Sequence, residues 1–333
     1  MSYAGVATEY EALHHHAVVF DRSHRGRIRL SGASAGETLT GLVTNDVLSL
    51  APGQGQYAAA LTPKGKIIAD LRVFRDESSL LVDVPPRAID GWMGTVHKYV
   101  NPRLAPYADE SATLRDVGVF GVAARLVVSE MTGMSSSALG VLPEYAHVSI
   151  VIEGARVVVA RVPDLEIEGF ELFAPSELYE ELWQRALAAK ATPGGLETWE
   201  IARVEAGRPE WGVDIDESTL PQEANFEELH AISYTKGCYT GQETVARVHF
   251  RGHVNKHLRG LRAASAEPPA PRASLFDATG KNVGDVRSTA ASPRLGGIAM
   301  GMVRREIEVG AALIARWEGG ETRVDVAHLP FPA

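Results

Sequence analysis

Apolar and polar positions alternate with a period of two over several short stretches in the first third of the chain. The stretch 27–30, which reads Arg-Ile-Arg-Leu, is typical of a strand with one buried face. The same alternation, interrupted by short turns rich in Pro, Gly, Asp and Ser, predicts three more strands at 55–61, 66–75 and 79–84. Because the turns are short, neighbouring strands are expected to pair as an antiparallel meander.

Apolar residues at helical spacing predict five helices around these strands. The predicted helices cover the first 20 residues, 34–43, 85–100, 176–189 and 196–206. A hairpin at 148–162 and a strand at 167–173 separate the third helix from the fourth. Strands and helices do not repeat as βαβ units, so the pattern predicts an α+β fold with antiparallel sheets.

The character of the chain changes after Gly252. A proline-rich break at 268–271 is followed by short strands with Gly and Asn turns, which predict a small β-barrel or jelly-roll module. We therefore expect a C-terminal barrel domain at 251–333 and an α+β region at 1–250. Within that region two intertwined subdomains are expected, about 1–105 with 190–250, and 106–189.

Composition and charge narrow the class of protein. The chain has 333 residues, of which 45% are hydrophobic and 23% charged, as in globular proteins. A formal net charge of −9 argues against a nucleic-acid or membrane partner. A single cysteine allows no internal disulfide, which suits a reducing compartment, and no apolar run reaches membrane length. The expectation is a soluble, cytoplasmic monomer.

The stretch 236–251 contains the strongest candidate chemistry. Cys238 is the only cysteine, and Lys236 lies two residues before it. The run 240–243, Thr-Gly-Gln-Glu, has the form of a capping box and predicts a helix that starts at Thr240. A thiol just outside a helix N-terminus and near a lysine is expected to be reactive. The alternative is a small buried side chain, as for many free cysteines.

The same region is locally basic. Six cationic residues oppose one acid, Glu243, between positions 236 and 262: Lys236, Arg247, Arg251, Lys256, Arg259 and Arg262. This surface could attract a polyglutamate tail or a phosphate, or it could be a solvated face balanced elsewhere in the fold. The histidines at 249, 253 and 257 would share one face of a helix, but the helix is expected to end near Gly252, so no metal site is expected.

Several motifs resemble a known family. The run 236–243, Lys-Gly-Cys-Tyr-Thr-Gly-Gln-Glu, is followed by Val-Ala-Arg at 245–247 and Phe-Arg-Gly at 250–252. Together they resemble the signature of the YgfZ family, folate-binding relatives of the glycine-cleavage T-protein. Weaker similarities to T-proteins lie at 20–26, 44–46, 65–71 and 204–207. The resemblance implies the T-protein-like (GcvT/YgfZ) fold and tetrahydrofolate, with or without a polyglutamate tail, as the cofactor in a central cavity.

The resemblance also implies roles for individual residues. Asp70 matches the essential aspartate of T-proteins, although Ala69 replaces the aspartate that precedes it in them. Asp70 could act as an acid or base at folate N5 or N10, or it could simply pair with Arg72. Glu205 matches the pterin-binding glutamate. The remaining expected folate contacts are the rings of Tyr57 and Phe74 and the cations Lys236, Arg247 and Arg251.

Three functions compete. The resemblance to YgfZ predicts support of iron–sulfur cluster assembly or repair, and of cluster-dependent tRNA modification, through Cys238. Its partners would be iron–sulfur client or assembly proteins. The alternative is an enzyme, a folate-dependent aminomethyltransferase or a demethylating one-carbon transferase, that uses Asp70. The third is a binding module that senses folate through contacts with partners.

Overall fold

The structure is a computed structural model that describes residues 2–332. Within that range the α-helices are α1 (Val6–His15), α2 (Ala35–Thr40), α3 (Ile89–Tyr99), α4 (Ala124–Thr132), α5 (Ser136–Gly140), α6 (Tyr179–Ala188), α7 (Leu196–Glu205) and α8 (Gln242–Arg251). Short 3₁₀ turns precede α3 and α6, and another covers Pro221–Ala224. No helix in the described range is long and apolar enough to cross a membrane.

The strands fall into three groups along the chain. The first two groups are β1 (Val18–Asp21), β2 (Gly26–Ser31), β3 (Gly55–Leu61), β4 (Ile67–Arg75), β5 (Ser79–Val84) and β6 (Tyr107–Asp109), then β7 (Leu114–Phe120), β8 (His147–Ile152), β9 (Ala155–Arg161), β10 (Gly169–Pro175) and β11 (Thr192–Gly194). The last group is β12 (Lys256–Ala263), β13 (Ser274–Phe276), β14 (Asn282–Ser292), β15 (Gly296–Arg304), β16 (Ala312–Trp317) and β17 (Gly320–Ala327).

These strands form two sheets and a barrel. One sheet has the order β3-β4-β5-β2-β6, the other β11-β1-β7-β10-β9-β8, and β12-β15-β14-β13-β16-β17 close into a six-stranded barrel. The prediction of an α+β fold with antiparallel sheets and a small C-terminal barrel is confirmed. The division of 1–250 into two subdomains stays a prediction, and the second sheet takes β1 and β11 from outside 106–189.

Alternation along β4 decides which side chains meet in the centre of the molecule. Ala69, Leu71 and Val73 pack with Trp92 of α3 on one face. The intervening side chains Asp70, Arg72 and Phe74 are buried on the opposite face, which is turned toward the second sheet. Two charged side chains, Asp70 and Arg72, are therefore buried between two layers of secondary structure.

Arg72 joins the two sheets. Its guanidinium lies 2.8 Å from Asp83 of β5, 2.6 Å from Glu171 of β10 and 3.1 Å from Asp164, which follows β9. The Arg72 side chain is only 1% exposed. Burial by itself would lower the pKa of the guanidinium, but these three carboxylates outweigh burial and hold it well above its ordinary value. The cation stays charged and paired.

The barrel is attached through α7. Arg203 donates to Asp214 Oδ2 at 2.8 Å and to Ser288 Oγ of β14 at 2.7 Å. Asp214 Oδ1 accepts the backbone N–H of Ser288 at 3.0 Å. This closed set of charge-assisted hydrogen bonds fixes the barrel against the helix that leads to the central cavity.

The start of α8 differs from the expectation. The N-cap is Gly241 with φ of 84°, not Thr240, and no side chain caps the helix, so the predicted capping box is wrong. A Cβ at Gly241 would lie 2.6 Å from the carbonyl oxygen of Thr62. The close approach to the β3–β4 turn requires glycine there, and the N-cap lies one residue later than predicted.

A buried carboxylate fixes the N-terminal helix to α7. Glu9 Oε1 accepts the backbone N–H groups of Tyr3 and Ala4, and Oε2 accepts the N–H of Gly195 at 2.9 Å and the hydroxyl of Thr198 at 2.6 Å. Glu9 is fully buried. Burial opposes ionisation, but the four donors outweigh it and lower the pKa of Glu9 below its ordinary value. The carboxylate thus occupies the positive end of α7.

We expect Glu9→Gln to lower the free energy of unfolding by about 1.5–3 kcal/mol at pH 7, the usual contribution of hydrogen bonds to a charged group. A lowered pKa means that the stability from Glu9 is present above its ordinary value of 4.5 and is lost as the pH falls. Denaturant unfolding at pH 7 and pH 3.5 should show a deficit that shrinks in acid. Glu11→Gln, at a residue 73% exposed in the same helix, is the control. Equal deficits in both variants would contradict the prediction.

Candidate functional site

Asp70 and Tyr57 form a buried pair on neighbouring strands. The Tyr57 hydroxyl donates to Asp70 Oδ2 at 2.8 Å. Asp70 is 5% exposed and Tyr57 3%. The other carboxylate oxygen, Oδ1, is buried and accepts no hydrogen bond from residues 2–332. A buried carboxylate oxygen without a donor is costly, and such atoms are often completed by a ligand or a water.

The pair faces a small cavity. Its volume of about 20 Å³ has room for about one water molecule. The walls combine several cations with two aromatic rings and a few acids: Arg22, Arg25, Tyr57, Asp70, Arg72, Asp164, Trp199, Arg203, Arg208, Pro209 and Glu210. The cavity is thus lined by β3 and β4 of the first sheet, by the loops that follow β1 and β9, by α7 and by the segment that follows α7.

Two arginines cover the aromatic rings of this cavity. The guanidinium of Arg208 lies 4.2 Å from the centre of the Tyr57 ring, and that of Arg22 lies 3.6 Å from the Trp199 ring. Arg208 also donates to the Tyr145 hydroxyl. Planar cations stacked on rings occupy the surface that a flat heterocycle would use. Entry of such a ligand requires an arginine to move.

The environment of Asp70 makes it easier to protonate. Its pKa is raised to about 6, mainly because the carboxyl is buried. The positive charge of Arg25 lowers this pKa, and the negative charge of Glu210 raises it. The hydrogen bond from Tyr57 favours the ionised form. Burial and the nearby Asp70 charge hold the pKa of Tyr57 well above its ordinary value, so Tyr57 remains a neutral donor.

Glu205 lies away from this cavity. Its carboxylate accepts from the Tyr10 hydroxyl at 2.8 Å and from the Ser292 hydroxyl, and Arg294 of the barrel lies 3.6 Å away. It therefore joins α1, α7 and the barrel. Phe74 packs against Phe173 at the far end of β4 and does not line the cavity either.

The remaining candidates lie around α8. Lys236 is 9% exposed, and its Nζ donates to the carbonyls of Thr40, Val43 and Asn45. Burial lowers the pKa of this lysine to about 8, against the effect of Asp46. The three carbonyl acceptors match the three N–H donors of the ammonium group. It holds the turn before Cys238 in place.

Cys238, Arg247 and Arg251 are all exposed. None of them lines the cavity at Asp70. Within the described residues no group of three His, Cys, Asp or Glu side chains could hold a metal ion. Of the eight predicted site residues, the structure brings only Tyr57 and Asp70 into one cavity, and the roles assigned to the others stay predictions.

Sequence reasoning missed most of the cavity wall. Arg22 and Arg25 lie within the run 20–26 that resembles T-proteins, and Arg208 directly follows the run 204–207. These neighbours of recognised motifs could have been singled out as candidates. Trp199 had no such signal, because an aromatic residue in an amphipathic helix is usually core.

Family comparisons agree with the fold. Residues 2–233 match the family model described as GCVT N-terminal domain, and residues 256–332 match that of the glycine cleavage T-protein C-terminal barrel domain. Relatives include an aminomethyltransferase of Thermosynechococcus vestitus, which is 30% identical over 91% of this chain and 81% of the length of the relative. Another, from Saccharopolyspora erythraea, is 29% identical over 99% of this chain and 91% of its own.

A solved structure is similar over the whole chain. It is the glycine cleavage system aminomethyltransferase T from Bartonella henselae, with a TM-score of 0.87, 22% sequence identity, and coverage of 100% of this chain and 91% of that one. At this identity the similarity shows the fold alone, and it agrees with the two sheets and the closed barrel.

These findings overturn the assignment to YgfZ. Both family models and the relatives above carry T-protein or aminomethyltransferase names over nearly the whole chain, whereas the YgfZ assignment rested on eight residues around Cys238. The predicted role in iron–sulfur cluster assembly is therefore wrong, and cluster proteins and tRNA modification have no support. Aminomethyltransferases of this family use tetrahydrofolate, so the expected cofactor stands. The chain belongs to the glycine cleavage T-protein family.

Proposed function

We propose that this protein is a tetrahydrofolate-dependent aminomethyltransferase in which Asp70 is the acid/base group. The observation that carries the proposal is the buried Asp70 carboxyl, with one oxygen held by Tyr57 and the other without a donor. The aminomethyltransferase names of the relatives favour aminomethyl transfer over the demethylating alternative.

The residues of the cavity suit a pterin. Asp70 Oδ1 is free to accept a ring N–H, and the rings of Tyr57 and Trp199 offer flat surfaces once the stacked arginines withdraw. Tetrahydrofolate supplies two amine nitrogens, N5 and N10, that can accept a one-carbon unit. The cavity as it stands is too small for it, so binding is coupled to movement of Arg208 or Arg22.

Asp70 has the properties of a general base. With a pKa of about 6 it is mostly ionised at pH 7, yet it binds a proton more readily than an exposed aspartate does. Tyr57 fixes the orientation of Oδ2, which leaves Oδ1 to take up a proton from an attacking amine. Because the cavity has room for only about one water molecule, solvent screens the charge of the carboxylate weakly.

The first test is the pH dependence of aminomethyl transfer. If ionised Asp70 is the base, kcat/KM should rise through about pH 6 and level off above it. Asp70→Asn should lower the rate by about 10²–10⁴-fold and remove this limb. The measurement is kcat/KM from pH 5 to 8 with tetrahydrofolate and an aminomethyl donor. If Asp70→Asn keeps both the wild-type rate and the rise of kcat/KM through pH 6, Asp70 is excluded as the base.

The second test concerns Tyr57. Its hydrogen bond favours ionised Asp70, so Tyr57→Phe should raise the pKa of Asp70 and move the acidic limb upward by about 1 pH unit. The ring and its stacking surface are retained. Phe173→Leu, outside the cavity, is the matched control and should leave the midpoint in place. If the midpoint of the acidic rise in kcat/KM does not move in Tyr57→Phe, that rise reports the ionisation of a group other than Asp70.

The third test separates function from stability. An acid whose folded pKa is raised contributes stability below its ordinary value, here 3.8, and loses it as the pH rises through about 6. Asp70→Asn cannot ionise, so we expect it to be more stable than the wild type by about 1–3 kcal/mol at pH 8 and equal to it near pH 4. Denaturant unfolding at both pH values measures this. A less stable variant at pH 8 would contradict the assigned environment of Asp70.

A further inference from the structure

Glu210 differs from the other acids in the wall of the cavity at Asp70. Its side chain lines this cavity and is only half-buried, so it reaches both the cavity and the solvent. Among residues 2–332 no group donates a hydrogen bond to the Glu210 carboxylate, and no cation lies within salt-bridge distance of it. A carboxylate without a partner is thus placed at the boundary of the cavity.

The backbone of Glu210 is fixed although its carboxylate is free. Its N–H donates to Asp214 Oδ2 at 2.9 Å, and its carbonyl accepts the N–H of Asp214 at 2.9 Å. The same Oδ2 accepts from Arg203 at 2.8 Å, and Arg203 also donates to Ser288 Oγ of the barrel. These charge-assisted hydrogen bonds hold the turn at the cavity, so the movable part of Glu210 is its side chain.

Most groups in the cavity wall cannot accept a proton from Asp70. Tyr57 is a neutral phenol that donates to Asp70, and Trp199 and Pro209 carry no basic side-chain atom. Five more groups are guanidinium ions, which stay protonated in proteins. They are Arg22, Arg25, Arg72, Arg203 and Arg208. Two carboxylates remain, those of Asp164 and Glu210.

Asp164 is a poor proton acceptor. Its Oδ2 accepts from Arg72 at 3.1 Å, and Arg208 lies 3.6 Å from its Oδ1. Burial by itself would raise the pKa of Asp164, but the charges of Arg72 and Arg208 outweigh burial and hold this pKa below its ordinary value. Protonation of Asp164 would also leave two buried cations with one counter-ion fewer. Glu210 is therefore the wall residue that suits a transfer of protons to solvent.

Asp70 needs such a partner because it has no direct route to bulk water. It is 5% exposed, and Tyr57 occupies its Oδ2. The cavity that Asp70 shares with Glu210 has a volume of about 20 Å³, which suits about one water molecule. The two carboxylates also act on each other, since the charge of Glu210 adds to the effect of burial on the pKa of Asp70, against that of Arg25.

We propose that Glu210 relays the proton of the folate amine from Asp70 to solvent, through one water molecule in their shared cavity. This inference rests on the proposed function. Asp70 Oδ1 takes the proton of the folate N–H, whose electron pair stays on nitrogen. The lone pair of that nitrogen forms the bond to the transferred carbon, and the bond from this carbon to its donor breaks with its electron pair left on the donor.

The relay then restores both carboxylates. The water gives a proton to Glu210 and receives the proton of Asp70, so the water itself is unchanged. Glu210 releases its proton to solvent at its exposed side. One proton leaves the cavity in each turnover, and Asp70 is ionised again for the next one. Glu210 acts through Asp70 and does not touch the reacting atoms.

The first measurement uses Glu210→Gln in the full chain, which keeps the shape of the side chain but removes its charge. In dilute buffer at pH 7, kcat should fall at least about tenfold, while the dissociation constant of tetrahydrofolate stays within about twofold. The midpoint of the acidic rise in kcat/KM should move below pH 6, because a negative charge near Asp70 is lost. Glu217→Gln, at an exposed acid of the same segment, is the control and should change none of these values.

The second measurement is chemical rescue. Glu210→Ala leaves space for a small carboxylate, so added sodium formate should raise its kcat in proportion to concentration. Sodium chloride at the same ionic strength should not, and a merely structural role of Glu210 would give no such rescue. The proposal is overturned if Glu210→Gln keeps the wild-type kcat, if its midpoint does not move downward, or if formate fails to restore Glu210→Ala.

Asp70→Asn, measured beside these variants, separates the relay from the proposed function. If Asp70→Asn keeps the wild-type rate, Asp70 is not the base, and the proposed function and the relay both fail. If Asp70→Asn loses the rate while Glu210→Gln behaves as the wild type, Asp70 remains the base and only the relay is wrong.

Discussion

The position of Arg72 between the two sheets is the constraint on which the centre of this protein depends. One buried guanidinium is shared by Asp83, Asp164 and Glu171, which come from β5, from the segment after β9 and from β10. Leaving any of these charges unpaired in the interior would cost several kcal/mol, roughly 3–5 by analogy with broken buried ion pairs. The two sheets are therefore held in one relative placement, which closes the cavity beside them.

The same closure gives Asp70 its chemistry. Asp70 precedes Arg72 by two residues on β4 and shares its buried face, but it has no cation of its own within salt-bridge distance among the described residues. Burial without a direct ion pair raises its pKa to about 6. A carboxyl that is costly to ionise is a poor contributor to stability and a useful proton acceptor near neutral pH. Stability from Arg72 and reactivity at Asp70 thus come from one packed interface.

The short motif around Cys238 and the similarity over the whole chain indicated different families. The run 236–243 is specific as a sequence, but the structure shows that its residues form a turn: Lys236 binds three carbonyls, Gly241 allows a close approach to Thr62, and Cys238 points to solvent. A match of eight residues, several of which have a structural role in this turn, does not define a function. The T-protein match extends over both the α+β region and the barrel, and it includes the strand that carries Asp70.

The sequence by itself determined the class of fold and several of its elements, although β1 overlaps the predicted first helix and β7, α4 and α5 were not predicted. Alternation placed β3, β4 and β5 within one residue of their observed ends, because strand period and turn chemistry are local properties. The resemblance to T-proteins singled out Asp70 and Tyr57. Only the tertiary structure decided which side chains surround them, since Trp199 and Arg208 reach the cavity from α7 and the segment after it. It also decided that Glu205 turns toward the barrel instead, because the direction of a side chain on a buried helix is set by packing between distant segments, which no local pattern records.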